Sequence, residues 1–352
     1  MAYFSVLAQS LKPYTAGEQP KDQQYIKLNT NENPYPPSPK AEEAMREAAR
    51  SLRLYPDMDC TGLCEAIAKA NGVSPGQVFA GNGSDEVLAF AFAAFFAGKR
   101  VLAPDITYSF YPIYARLFGA VYETVPLKED FAVDLPAFFQ DAPVVLANPN
   151  APTGIHLAVS ELEKLAAHLQ KKGEILLVDE AYEAFAPENA VPLLARFDNV
   201  LIVRTLSKSH CLAGLRVGYA MGHPDLMEGL RRVKDCFNSY TLDRLAQAAA
   251  TAALEDAAYY SRINGQVAAT RDWAQNALAE AGIPVLPSRA NFLFVKAHHE
   301  NAAGVLAALK ARGILVRHFN APRTAPYLRV SIGTQADMER VVRELIAIVK
   351  GH

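Results

Sequence analysis

Lys208 and Arg216 lie in the stretch LIVRTLSKSHCLAGLRVGYA, residues 201–220. An apolar run, Leu201-Ile202-Val203, leads into two hydroxyls, Thr205 and Ser207, then an amine, a small-residue turn and a guanidinium. Apolar or cationic surroundings lower the proton affinity of an amine and make it a nucleophile or base. A guanidinium forks onto phosphate oxygens. The ordinary alternative for Lys208 is a solvated surface residue, and the largely apolar flanks speak against it. Three other apolar runs end in the same way. QVFAG is followed by GNGSDE, where backbone N–H groups at a helix start, near Ser84 and Asp85, suit a phosphate; a plain helix cap by either side chain is the alternative. The third glycine of a dinucleotide-binding turn is replaced by Glu86, and no Walker A pattern is present. PVVLANP is followed by NAPTG, where Asn150 could offer an amide or simply belong to a turn. EILLV is followed by DEAY, where Asp179 needs a cation or donors if buried, and a structural ion pair would serve as well as a functional one.

Together these residues supply a phosphate cradle, an acid and a lysine at one sheet edge. A pyridoxal phosphate site needs all three. The lysine forms a Schiff base with the aldehyde, and the acid keeps the ring nitrogen protonated, so that the ring withdraws electrons from the reacting carbon. Tyr182 could tune the imine and Tyr108 could stack on the ring.

The surrounding pattern explains how one edge could collect them. Apolar strand candidates at 77–81, 100–104, 120–126, 143–149, 174–180, 199–205 and 217–222 alternate with helical stretches such as VSELEKLAAHLQKKG, 159–173. That alternation implies a mainly parallel sheet covered on both faces, with ligands beyond the carboxyl ends of the strands. The apolar run 87–98 reads as a buried helix, too short to span a bilayer. Residues 28–39, LNTNENPYPPSP, hold too much Pro and Asn for a regular element and read as an ordered loop or linker. After Pro224 come long helices and then the strands ANFLFVKA, GILVRHF and YLRVSIG, a smaller α+β unit. The expected organisation is an arm and linker over 1–39, a three-layer α/β/α domain over 40–250 and a small C-terminal domain over 251–352.

Composition excludes several classes. The chain has 352 residues, 51% hydrophobic and 20% charged, with a formal net charge of -2. Such a charge holds neither nucleic acid nor an anionic membrane. The four cysteines, Cys60, Cys64, Cys211 and Cys236, form no CxxC pair, and the eight histidines form no metal constellation. Reduced cysteines and the lack of a secretory pattern at the start point to the cytoplasm.

The chain resembles the fold-type I pyridoxal-phosphate aminotransferases, and within them the histidinol-phosphate aminotransferases. The motifs LNTNENPY, YPD at 55–57, GNGSDE, NPNAPTG, VDEAY, TLSKSHCLAGLRVGY and LRVSIGT stand in the family's order and span roughly residues 11–345. The resemblance implies that Lys208 carries the cofactor and moves the proton, that Asp179 pairs with the pyridine nitrogen, and that Tyr182 and Asn150 bond the ring oxygen. It places Tyr108 on the ring, and Ser84, Asp85, Thr205, Ser207 and Arg216 around the phosphate. Tyr55 is expected to reach the site of a neighbouring subunit, which makes the enzyme a homodimer. Arg329, Arg317 and Tyr14 are expected at the anionic end of the substrate. A strand-end salt bridge is an equally good account of Arg317. Two arginines suffice for a phosphate dianion, one for a carboxylate. The segment CFNSYTLDRLAQ and Ala151 depart from the family's usual forms, on the substrate side more than the chemical one. His210, two residues beyond the lysine, has no role in the family.

The activity implied is ping-pong exchange of an amino group between histidinol phosphate and 2-oxoglutarate. Alternatives on the same scaffold are an aromatic amino-acid aminotransferase, a threonine-phosphate decarboxylase-like lyase and a non-catalytic cofactor-binding regulator. Retention of Lys208, Asp179 and Arg216 together argues against the last.

Overall fold

The computed structural model describes residues 3–11, 17–19, 21 and 24–351. Its centre is a seven-stranded sheet in the order Val78–Asn82, Val217–Gly222, Val200–Thr205, Leu176–Asp179, Val144–Ala147, Arg100–Pro104, Val121–Val125. All strands run parallel except Val217–Gly222, which is antiparallel to both its neighbours. Between Thr205 and Val217 there is room only for the turn of helix Leu206–Ser209 and a short 3-10 turn, Ala213–Leu215. A parallel return needs a dozen residues or more, usually a full helix, so the chain doubles back. That short return is what keeps Lys208 and Arg216 at the same end of the sheet.

Successive residues of the central strands enter opposite cores. Leu176, Val178, Val200 and Ile202 pack with Leu162 and Leu165 of helix Val159–Lys171 and with Ala246 and Ala249 of helix Arg244–Glu255. Leu177, Leu201 and Val203 pack on the other face with Val87 and Leu88 of helix Gly83–Ala91 and with Met227 and Leu230 of helix Pro224–Phe237. Burial on both faces explains why these strands read as unbroken apolar runs. The stretch expected as one helix over 87–98 is helix Gly83–Ala91 followed by a wider π-helical turn, Phe92–Phe96.

A third core lies around the antiparallel strands Phe292–Lys296, Tyr327–Ser331 and Arg317–His318 and the helices Ala303–Ala311 and Gln335–Lys350. Helix Ala257–Glu280 joins it to the large sheet. Tyr260 and Ile263 enter the core that holds Leu176 and Ile202, whereas Val267, Ala274 and Leu278 enter this third one. Ile26–Lys27 pairs in parallel with Ile314–Leu315, so the chain approaching the loop is already fastened to the C-terminal unit. Among the described residues no helix is long and apolar enough to cross a membrane.

Candidate active site

Where the sheet ends and the loop from residue 28 crosses it there is a cavity of about 270 Å³. Its walls include Ser84, Asp85, Tyr108, Asp179, Tyr182, Thr205, Ser207, Lys208 and Arg216, together with Thr30 and Glu32 from the loop. Asp179 ends its strand, and Lys208 sits in the helical turn that follows the next strand. The two strands pair in register, Asp179 opposite Val203. The backbone ladder therefore sets the distance between acid and amine, independently of any side chain.

Asp179 is 5% exposed. Its Oδ2 accepts from the Tyr111 hydroxyl at 2.8 Å and its Oδ1 from the Ala181 N–H at 3.1 Å. Burial pushes the carboxyl up to about 6; the bonds from Tyr111 and Ala181 hold it down, and the charges of Asp85 and Glu180 push it further up. Among the described residues no cation pairs with it. A buried carboxylate with two neutral donors and no cation is costly, and a protonated ring nitrogen is the kind of partner it fits.

The Lys208 amine donates to the Thr30 carbonyl at 2.9 Å. Its proton affinity is pushed down to about 8, first by burial and then by the Arg329 charge, while Glu32 and Asp85 oppose the shift. The Lys208 carbonyl accepts from the Asn33 side chain at 3.0 Å. Glu32 accepts from Thr30 Oγ1 at 2.7 Å and is bonded to Lys27.

The opposite end of the cavity suits an anion. Gly83 opens helix Gly83–Ala91 with φ +78°, and a Cβ there would lie 2.6 Å from Arg216 Nη2. A Cβ on Gly218 would lie 2.2 Å from the Ser84 nitrogen. Glycine at 83 lets the guanidinium rest on the turn, and glycine at 218 lets the strand pass against the backbone of that turn. Arg216 Nη2 is 3.1 Å from Asp85 Oδ2, and the Tyr108 hydroxyl donates to Asp85 Oδ1 at 2.6 Å. Neither Ser84 nor Asp85 caps the helix; the Glu86 carboxylate does so, accepting from the Asn82 N–H at 2.6 Å. Glu86 thus gains a purpose in the position where a dinucleotide-binding turn would need glycine. Thr205 Oγ1 accepts from the Ser207 N–H at 3.1 Å and fixes the turn that carries the lysine.

Other expected residues lie outside the walls. Asn150 is buried, with its amide donating to the Ile106 carbonyl and to Thr153 Oγ1, both at 3.0 Å, and its oxygen accepting from Thr107 at 2.8 Å. Arg317 and Arg329 face each other in register across the antiparallel pair, and their guanidinium carbons stand 5.7 and 5.4 Å from the Phe319 ring. Arg329 Nη2 donates to the Asn29 carbonyl at 3.2 Å. Tyr55 is exposed and stacks on Tyr240 at 4.7 Å between ring centroids. Tyr14 lies outside the described residues. His210 packs against Tyr260 and bonds Ser209 Oγ at 2.8 Å, and burial pushes its imidazole down to about 4.

Sequence reasoning did not single out Tyr111 or, one by one, the loop residues Thr30, Asn31, Glu32 and Asn33. Asn31 Nδ2 donates to the Tyr182 hydroxyl at 2.9 Å, and Asn291 Nδ2 holds the Asn31 carbonyl at 3.0 Å. The available signal was local: four amide or acid side chains within NTNEN, in a loop expected to be ordered.

Comparison with known proteins shows the family. The family model of aminotransferase class I and II matches residues 23–345. The chain is 48% identical to histidinol-phosphate aminotransferase 1 of Methylococcus capsulatus, over 99% of this chain and 98% of the relative. It is 49% identical to histidinol-phosphate aminotransferase 2 of Thiobacillus denitrificans, over 98% of each. The crystal structure of histidinol-phosphate aminotransferase from Sinorhizobium meliloti in complex with pyridoxal-5'-phosphate superposes with a TM-score of 0.88 at 27% identity, covering 100% of this chain and 98% of that one. By fold, motif order and sequence, the chain belongs to the aminotransferases of class I and II.

Proposed function

We infer that the protein is a pyridoxal-phosphate-dependent histidinol-phosphate aminotransferase, acting in histidine biosynthesis with 2-oxoglutarate as amino acceptor. The observation that carries the chemistry is a single cavity holding a lysine of lowered proton affinity, a buried acid without a cation and an arginine beside a helix start. The near-full-length likeness to histidinol-phosphate aminotransferases supports the substrate. When bound, pyridoxal phosphate supplies the aldehyde that takes up the amine and the electron-withdrawing ring that acidifies the neighbouring carbon.

The chain's own residues take the following parts in this reading. Lys208 Nζ takes and returns the proton at the amino-bearing carbon of the substrate, and a proton affinity near 8 suits both directions at neutral pH. Asp179 pairs with the ring nitrogen, held in orientation by Tyr111 and Ala181. Ser84, Thr205, Ser207 and Arg216, with the N–H groups of the 83–85 turn, hold the phosphate. Asp85 steers Arg216 and Tyr108 through its two oxygens. Tyr182 would address the ring oxygen and Tyr108 would cover the ring, while Asn150, whose amide is engaged by Ile106, Thr153 and Thr107, would have to give up one of those bonds to join Tyr182 there. Arg329 and Arg317, in register across one strand pair, receive the anionic end of the substrate.

We extend the reading to a homodimer in the cytoplasm. Leu52, Leu54, Tyr55, Phe237 and Tyr240 are exposed; a second copy would cover them and receive Tyr55. The four cysteines are free, as suits a reducing compartment.

A donor panel with 2-oxoglutarate tests the substrate: histidinol phosphate, phenylalanine, tyrosine and aspartate compared by kcat/KM. Histidinol phosphate should lead by a factor of ten or more. Faster turnover of phenylalanine or tyrosine would make this an aromatic aminotransferase, and carbon dioxide release without an oxo acid would make it a lyase.

A further inference from the structure

Three side chains from one part of the chain hold three main-chain carbonyls of another. Lys234 Nζ donates to the Met58 carbonyl at 3.1 Å, Arg244 Nη2 to that of Tyr55 at 2.6 Å, and Gln247 Nε2 to that of Asp57 at 2.9 Å. Lys234 is 3% exposed, also donates to the Ser239 carbonyl at 3.3 Å and pairs with Asp235 at 2.8 Å. An ammonium is rarely buried unless its donors are satisfied. The Asp57 carboxylate tightens the same turn by accepting from the N–H groups of Asp59 at 3.0 Å and Thr61 at 2.7 Å. Yet the ring that this apparatus carries, Tyr55, is 79% exposed. The turn is fastened by its backbone, and its most prominent side chain is presented outward. Backbone fastening is what a residue meant for another molecule requires, because its own side chain must stay available.

We propose that Lys234, Arg244 and Gln247 are positioning residues that act across the subunit boundary, fixing residues 55–58 of one subunit so that Tyr55 completes the cofactor site of the other. The proposal rests on the reading of Tyr55 as a residue that serves the neighbouring subunit. The same segment is tied to its own cavity, since the Thr241 carbonyl accepts from Asn82 Nδ2 at 3.0 Å beside the phosphate turn. Each clamp therefore stands between the site of its own subunit and the turn offered to the other.

Subunit mixing tests it. Lys234→Met removes the buried donor, and Arg244→Met removes a more exposed one should the first fail to fold. Either homodimer should bind pyridoxal phosphate roughly ten-fold more weakly, the loss of one charged hydrogen bond. Differently tagged chains are then co-expressed so that one subunit carries the clamp variant and the other Lys208→Ala. The Lys208→Ala subunit has an intact clamp and lends a well-placed Tyr55. One site of wild-type affinity should return per mixed dimer. Borohydride at limiting cofactor should then fix the coenzyme to Lys208 of the clamp-variant chain, as read by mass spectrometry. A site that stays weak in the mixed dimer means the clamp acts only within its own subunit, and the proposal fails. Tyr55→Ala mixed with Lys208→Ala is the companion: recovery there without recovery for the clamp variants discards the clamp alone. No recovery in the companion discards the partner role of Tyr55, and the proposal with it.

Discussion

The two ends of the active site are built by opposite means. At the coenzyme end, Asp179 ends one strand and Lys208 follows the end of the adjacent parallel strand, and the ladder between the two runs on past Asp179, with the Glu180 N–H on the Val203 carbonyl at 2.8 Å. Behind them, on the reverse face, Arg204 Nε and Nη2 both meet Glu180 Oε2, at 2.9 and 2.7 Å, and Nη1 meets Asn71 at 2.7 Å. This pair is buried and hydrogen-bonded throughout, the condition under which a buried ion pair fixes geometry without leaving an uncompensated charge. At the proposed substrate end, Arg329 stands mid-strand in a five-pair ladder and donates to the Asn29 carbonyl, Arg317 joins it through two residue pairs only, and both guanidiniums lie by the Phe319 ring. On the proposed assignment the contrast divides the labour: the end built on the central sheet fixes what reaction occurs, and the end built on the smaller sheet fixes which molecule undergoes it.

Substitutions should break that comparison unequally. Lys208→Ala should cost the most, about a thousand-fold or more in turnover, because nucleophile and proton carrier go together. Coenzyme should still bind without a covalent link, and dialysis against absorbance separates the two losses. Normal turnover would take Lys208 out of the chemistry. Asp179→Ala should come next, about a hundred-fold in the half-reaction with weaker coenzyme retention. The wild-type protein carries its own version of this test in pH. The Asp179 carboxyl is raised to about 6, so the carboxylate is present above that pH and is lost as pH falls through it. Coenzyme affinity should therefore decline on the acid side of about 6. The Lys208 amine, lowered to about 8, becomes the free base as pH rises through that value. The rate of covalent capture should rise there, and stopped-flow absorbance would resolve both limbs.

At the other end, Arg317→Gln and Arg329→Gln should leave the coenzyme in place and raise KM, and Arg329→Gln should also raise the proton affinity of Lys208, which the Arg329 charge holds down. For Arg317→Gln we expect roughly a ten-fold rise for the phosphate-bearing donor and a smaller one for 2-oxoglutarate, since one guanidinium is enough for a carboxylate. Equal rises for both substrates would mean that Arg317 is a structural strand-end residue.

The same contrast governs how much could be read from sequence. Strand ends were legible because a run such as Leu201-Ile202-Val203 must be buried, and polar residues directly beyond it must lie at the sheet edge. Ser84, Asp85, Asp179, Tyr182, Ser207, Lys208 and Arg216 all emerge on one cavity for that reason. The direction of Val217–Gly222 was legible in principle from the shortness of its connection, and the parallel pattern around it hid the cue. The loop over 28–39 gave only its irregularity. Its contacts reach from Asn31 to Ser331, from Asn33 to Lys208 and from Asn29 to Arg329, and no local pattern encodes pairings that distant. Arg204 was hidden differently. A charged residue at the end of an apolar strand looks like an edge, whereas here the Glu180 and Asn71 side chains enclose it.

Tyr111 marks the limit of such reading and gives the smallest effect. It opens helix Tyr111–Phe118, is wholly buried and would pass as core, yet its hydroxyl donates to Asp179 Oδ2. A donor to the charged form lowers a carboxyl pKa. Tyr111→Phe keeps the ring and removes only that bond, so the Asp179 carboxyl should rise above its present value of about 6. A hydrogen bond to a charged group is worth about 1.5–3 kcal/mol, and one pH unit corresponds to about 1.4 kcal/mol. The acid limb of coenzyme affinity should therefore move up by about one pH unit or more. Near pH 8 the variant should bind almost as the parent does, and near pH 6 about ten-fold more weakly. Dissociation constants measured across that range decide the point: a limb that does not move would show that Asp179 owes its ionisation to the bound ring and its orientation to the Ala181 N–H alone.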